Sequence, residues 1–151
     1  MSKSLGNLVM VSNLLKTYTP DAVRLYLGNH HYRDSWEWNA DDMECASQMA
    51  EQWRSAAEGQ IDVSAPHITA TREAVQQALA DDLDTPKAVA ALNRLCEDIL
   101  KGSYTKRDAD SAKATLRAMA HLFGMRLGEP GVERRVSDGW GKHLQRFMTN
   151  S

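Results

Sequence analysis

A chain of 151 residues can bury roughly 68–70% of the surface its unfolded form exposes, enough for an ordinary core without disulfides. With 42% hydrophobic and 25% charged residues, the composition excludes intrinsic disorder and a fibrous architecture. The net charge of −2 excludes a surface that binds nucleic acid all over and leaves room only for a local basic patch; no apolar run approaches the roughly 20 residues of a membrane span.

The chain opens Met-Ser-Lys-Ser-Leu-Gly-Asn, residues 1–7. A lysine such as Lys3 is a compact cation on a flexible stem, suited to following a moving phosphate, whereas arginine suits a fixed bidentate contact. Ser2 and Ser4 carry hydroxyls that can donate to phosphate oxygens, and Gly6 lets the backbone turn where a side chain would obstruct it. The same residues also read as a solvated terminus, because so short a motif recurs by accident.

Helical periodicity follows nearly throughout. Ser12 is placed to cap a short helix over 13–18, and Pro20 suits the first turn of a second helix ended by Gly28. His30, His31, Tyr32 and Arg33 form a polar segment with no third ligand nearby for a metal. Trp36 and Trp38 either offer stacking faces to an unpaired base or plug the seam before the next helix. Asn39 caps that long helix, with Asp41, Asp42 and Glu44 where the dipole favours anions. Met43, Ala46, Ala50, Trp53 and Ala57 give it one narrow apolar stripe, and Gly59 to His67 reads as a loop.

The spacing predicts a helix over 69–80 with Ala74, Val75, Ala78 and Leu79 inward. Asp81, Asp82 and Asp84 cluster before the next helix start, where acidic residues stabilise the dipole. Thr85 as N-cap and Pro86 at the first position begin that helix, which turns Val89, Leu92, Leu95, Cys96 and Ile99 inward before Gly102. Asp108 or Asp110 caps the last clear helix, with Ala112, Leu116, Met119, Leu122 and Phe123 on its apolar face and Gly124 as its stop. No stretch alternates as a sheet strand does. The expected fold is all-α: an antiparallel helical bundle over 39–124, preceded by a segment over 1–38 and followed by a tail over 125–151. In the tail, Trp140, Leu144, Phe147 and Met148 are spaced for one short helix. Arg134, Arg135, Lys142 and Arg146 are either phosphate contacts or solvated charges. Cys45 and Cys96 lie far apart within helical patterns, as reduced cytoplasmic thiols do, and no signal-peptide core is present.

Residues 1–7 resemble the KMSKS signature of class I aminoacyl-tRNA synthetases, entered one residue late so that the first lysine is missing. Residues 13–33, with D-A-V-R at 21–24 and H-Y-R at 31–33, resemble the segment after that signature in cysteinyl-tRNA synthetase. Residues 81–92 resemble that family's D-D-x-x-T-P-x-A helix start. The resemblance covers residues 1 to about 124, and the cysteine ligase of mycothiol biosynthesis shares all three segments. A-D-D-L-D-T-P-K-A reads at least as much like that ligase, which joins cysteine to an amino sugar without tRNA.

The resemblance implies a bundle like the anticodon-binding domain of class I synthetases and an ATP site in which Lys3, with Ser2 and Ser4, meets the triphosphate. It implies His30 to Arg33 near the domain junction, and tRNA contacts by Trp36, Trp38, Arg134, Arg135, Lys142 and Arg146. ATP is then the parent enzyme's substrate, and zinc belongs to a catalytic half, supplied in cis or in trans, that also carries the HIGH histidines. Three readings follow. The chain is the C-terminal part of a cysteinyl-tRNA synthetase, or of the amino-sugar ligase, or it is a free-standing helical module that binds RNA or protein. In the first two it is inactive alone, and its uncovered apolar seam favours self-association.

Overall fold

In a computed structural model of the chain, residues 9–59 and 68–127 are described. Among the described residues six helices run in order: α1 (Val11–Leu14), α2 (Pro20–Gly28), α3 (Ala40–Ala57), α4 (Thr69–Ala80), α5 (Thr85–Leu100) and α6 (Lys106–Leu122). The described residues contain no strand, and none of their helices is long and apolar enough to cross a membrane. The all-α architecture agrees with the sequence reading.

Local chemistry explains where each helix starts. Ser12 does not cap α1. The single turn begins at Met10, whose carbonyl accepts from the N–H groups of Asn13 at 2.8 Å and Leu14 at 3.2 Å, and no side chain caps it. Pro20 occupies the first position of α2, where its missing N–H costs nothing, and the Thr19 hydroxyl accepts from Ala22 N–H at 3.2 Å. Asn39 caps α3 as expected, its Oδ1 accepting from Asp41 N–H at 2.8 Å.

Two further caps differ from expectation. On α5 the cap is Asp84, one residue before Thr85, and Oδ1 accepts from Lys87 N–H at 3.0 Å. A carboxylate there meets the positive end of the dipole as well as an orphan N–H. On α6 the cap is Thr105, whose hydroxyl accepts from Asp108 N–H at 3.3 Å and donates to Asp108 Oδ2 at 2.6 Å. Asp108 therefore lies in the first turn and answers the cap reciprocally.

Helices α5 and α6 stop in the same way. Gly102 (φ +68°) and Gly124 (φ +75°) adopt the left-handed conformation. Ser103 N–H then reaches back to Asp98 O at 3.0 Å and Met125 N–H to Ala120 O at 3.2 Å, satisfying carbonyls that the helix ends leave open.

One continuous core joins all the longer helices. The predicted α3 stripe of Met43, Ala46, Ala50, Trp53 and Ala57 is buried throughout. It packs against Leu25 and Tyr26 of α2, Val89 and Leu92 of α5, and Leu116 of α6, with α2 on α3 the most extensive helix pair. The Trp53 indole N–H donates to Asn93 Oδ1 at 3.2 Å, so the ring enters the core without losing its polar partner. Ala74 and Leu122, expected inward, are exposed. The inward face of α4 is narrower, with Val75 and Ala78 buried and Leu79 partly buried against the core, and the chain reversal at Gly124 gives the core position beyond α6 to Met125. Cations of α6 close the C-terminal end of α3. Arg117 Nε donates to Ala57 O at 2.9 Å, its Nη2 to Gly59 O at 2.9 Å, and Lys113 Nζ to Glu58 O at 2.9 Å, where the dipole favours positive charge.

Candidate functional site

A polar junction joins the loop between α2 and α3 to the turn between α4 and α5. Helix α2 positions the loop. Tyr26 is buried on its inner face, and its hydroxyl accepts from Asn39 N–H at 3.1 Å, so one side chain ties α2 to the start of α3. His30 Nδ1 lies 2.8 Å from Tyr26 O. A carbonyl only accepts, so this nitrogen is the donor of the pair. The His30 ring stacks on Trp36, centroids 4.1 Å apart and 25° from parallel. Tyr26 meets Trp36 at 5.6 Å and Trp38 at 5.1 Å. The two tryptophans thus fill the seam between α2 and α3, Trp38 partly buried and Trp36 still 42% exposed.

The turn supplies the other side. Asp82 and Leu83 both have φ of +54°, a left-handed conformation that costs a residue such as leucine about 1–2 kcal/mol. Thr85 N–H closes back onto Leu83 O at 2.6 Å, and Asp84 N–H onto Ala78 O at 3.0 Å. The turn thereby divides its three aspartates. Asp84 caps α5 and pairs with Lys87 at 2.9 Å, with Asp81 farther from the same ammonium at 3.6 Å. These two fit the dipole explanation given from sequence. Asp82 does not.

Asp82 crosses to the loop. Its Oδ1 accepts from the Tyr32 hydroxyl at 2.6 Å and from Arg33 Nη2 at 2.9 Å, and Arg33 Nε lies 2.6 Å from Oδ2. Arg33 Nε also reaches the Tyr32 oxygen at 2.8 Å, and the guanidinium stands 5.2 Å from the centre of the Tyr32 ring. His31 stacks on the other partner, its ring 5.0 Å from that of Tyr32. The Thr85 hydroxyl donates to His30 O at 3.4 Å. The hydrogen bond from Tyr32, then that from Arg33, holds the Asp82 carboxyl below the usual carboxylate range. The same carboxylate raises Arg33 and Tyr32 above theirs. The segment His30 to Arg33 is therefore fixed by hydrogen bonds.

Asp82 is the site residue that sequence reasoning passed over. Its partners lie 50 and 49 residues away, and no local pattern distinguishes it from Asp81 and Asp84. Ser2, Lys3, Ser4, Arg134, Arg135, Lys142 and Arg146 lie outside the described residues. Among those described, no three His, Cys, Asp or Glu side chains converge as metal ligands would. Cys45 is exposed and Cys96 buried, its thiol pushed up to about 11 by burial and by Glu97.

Comparison with known sequences assigns the two sides of this junction to different matched segments. Residues 1–48 match the profile of the class I (C) tRNA synthetase catalytic domain, and residues 74–128 match the DALR domain. The chain is a relative of the class I tRNA synthetases. Among curated proteins, this synthetase relative is 46% identical over 116 residues to the L-cysteine:1D-myo-inositol 2-amino-2-deoxy-alpha-D-glucopyranoside ligase of Thermobifida fusca, covering 76% of this chain and 27% of that ligase. Ligases of the same name from Sanguibacter keddieii and Mycolicibacterium smegmatis are 43% and 41% identical over 129 and 128 residues. Each match covers 84% of this chain and 29% and 30% of those proteins. The chain therefore spans under a third of the length of the curated relatives it matches. In these terms Tyr32 and Arg33 belong to the catalytic-domain segment and Asp82 to the DALR segment of the synthetase relative.

Proposed function

We propose that the chain serves an ATP-dependent ligase that joins cysteine to an amino sugar, contributing the phosphate-binding end of the active site and the helical domain behind it. The observation that carries this reading is the 46% identity to the Thermobifida fusca ligase, whose name states that chemistry. Of the readings offered from sequence it is the second, and the relatives favour it over the first. Charging of tRNA with cysteine stays as the alternative because the matched catalytic domain is that of tRNA synthetases.

The chemistry assigns this chain one role. A cysteine carboxylate oxygen attacks the α-phosphorus of ATP, the bond to the β-phosphate oxygen breaks, and pyrophosphate leaves with the negative charge. A cation held at that leaving group lowers the barrier because it meets charge that grows in the transition state. Lys3 is the residue of this sequence proposed for that cation, with Ser2 and Ser4 donating to the same oxygens. The sugar amine then attacks the activated carbonyl carbon, the amide bond forms and AMP departs.

Positioning of the reactants can supply about 7–11 kcal/mol of barrier reduction, and one lysine cannot supply it. The polypeptide alone is expected to give no cysteine-dependent exchange of pyrophosphate into ATP. The test joins residues 1–151 to the catalytic portion of the Thermobifida fusca ligase and assays two acceptors, the amino-sugar inositol named for that ligase and total tRNA. Cysteine transfer to the sugar alone supports the proposal, transfer to tRNA supports the alternative, and transfer to neither rejects both.

A further inference from the structure

The two matched segments meet through contacts of opposite character. One is buried and apolar: Ala22, Leu25 and Tyr26 of the first segment enter the core shared with α5 and α6 of the second. The other is Tyr32 and Arg33 on Asp82, a carboxylate whose side chain is 47% exposed facing a guanidinium 65% exposed. The first contact is part of the buried core. The second lies at the surface.

The turn that presents Asp82 is itself under tension. Two consecutive non-glycine residues sit in the left-handed region, and Leu83 is 56% exposed there, outside the core. Aspartate visits this region more readily than most residues, but leucine does so only when its surroundings impose it. The cap at Asp84 imposes it from one side, and the contact of Asp82 with the loop imposes it from the other. On the loop side, Tyr32 and Arg33 follow directly on His30 and His31, whose backbone and rings carry the stack on Trp36 and the contact with Thr85.

We propose that Tyr32, Arg33 and Asp82 form a latch between the catalytic-domain segment and the DALR segment, with Asp82 as its positioning residue: the loop over 29–36 and the turn over 81–85 hold each other in place. Such coupling is reciprocal. Whatever releases one side must loosen the other by the same free energy, whereas a merely local hydrogen bond would affect only its own neighbourhood. The latch is independent of which acceptor the enzyme uses, since no residue of it is assigned to ATP, cysteine or sugar.

Hydrogen exchange read by mass spectrometry on the whole chain tests this. In Asp82→Asn, amides over 29–36 are expected to exchange several-fold faster while the buried amides of α3 and α5 keep their protection. In the opposite variant, Tyr32→Phe with Arg33→Gln, the amides of Asp84 and Thr85 are expected to speed up although neither substituted residue lies in the turn. Unchanged exchange on the far side in either variant overturns the latch. A uniform rise across all helices in both variants also overturns it, because the contact would then be ordinary support for the whole fold.

Discussion

The Thr115 hydroxyl accepts from Ile68 N–H at 2.8 Å and donates to Ser111 O at 2.7 Å from a fully buried position on α6. Two residues further along α6, Arg117 holds the carbonyls of Ala57 and Gly59. The end of α3 and the start of α4 are thus both fastened to α6. Thr115→Val keeps the volume and removes the acceptor, leaving the Ile68 N–H unsatisfied, which costs about 1–3 kcal/mol. Urea denaturation should show that loss as a lower midpoint at unchanged slope, and Thr115→Ser, which keeps the hydroxyl, should lose clearly less. Equal losses in the two variants would mean that the methyl group and not the hydroxyl matters.

The tryptophans should separate in the same assay. Trp53 is wholly buried and bonded to Asn93, so Trp53→Ala removes a large ring from the core at about 3–5 kcal/mol. Trp36 is partly exposed with one face on His30; Trp36→Ala forfeits chiefly that stacking, about 0.5–1.5 kcal/mol beyond the area it covers. If Trp36→Ala proved as damaging as Trp53→Ala, the seam between α2 and α3 would belong to the core and not to its rim.

Acid should act first on the turn. Tyr32 and Arg33 hold the Asp82 carboxyl below its ordinary 3.8, and Lys87 does the same for Asp84. A carboxyl lowered by folding contributes stability that is present above the ordinary value and is lost as pH falls through the lowered one. The difference in thermal midpoint between the unmodified chain and Asp82→Asn should therefore be constant between about pH 5 and 10 and shrink below 3.8. Tyr32 has the opposite sign. Its value is raised from 10.0 chiefly by Asp82, so its contribution is present below 10 and fades as alkali titrates the phenol. A difference that stayed constant down to pH 2 would exclude the Asp82 carboxylate as its source.

The two thiols should differ in reactivity. Burial and Glu97 push Cys96 up to about 11, and only the thiolate reacts with a disulfide reagent. With Cys45 exposed, a thiol-exchange reagent near pH 8 should titrate one equivalent quickly and the second only in denaturant. Cys45→Ser should abolish the fast phase.

What the sequence disclosed and what it withheld divide along physical lines. The five longer helices, the α3 stripe and the stops at Gly102 and Gly124 were legible because periodicity and left-handed glycines are local signals, whereas the first helix, expected over 13–18, is a single turn over Val11–Leu14. Three caps were misjudged, since Ser12, Thr85 and Asp108 each stand within three residues of the true start and helices rich in Ser, Thr and Asp offer several plausible caps. The junction was half legible. Tyr32 and Arg33 drew notice as part of a polar run, but Asp82 looked like its neighbours because its role depends on a backbone reversal and on partners some 50 residues away. No helix pattern encodes such a contact.

Lys3 is the residue on which the functional proposal turns, and its test separates charge from mere chain length. In the fusion with the catalytic portion of the Thermobifida fusca ligase, Lys3→Met keeps a long flexible side chain and removes the ammonium. If the cation meets charge that develops only as pyrophosphate leaves, its loss should lower kcat by about 10²–10³-fold, the scale seen when one donor to a transition-state anion is deleted. KM for cysteine should hold, since Lys3 is not proposed to touch the amino acid. Lys3→Arg should recover only part of the rate, because the planar guanidinium suits a fixed bidentate contact better than a departing phosphate. A fall in kcat/KM carried wholly by KM for ATP would make Lys3 a ground-state anchor for the nucleotide and remove it from the chemical step.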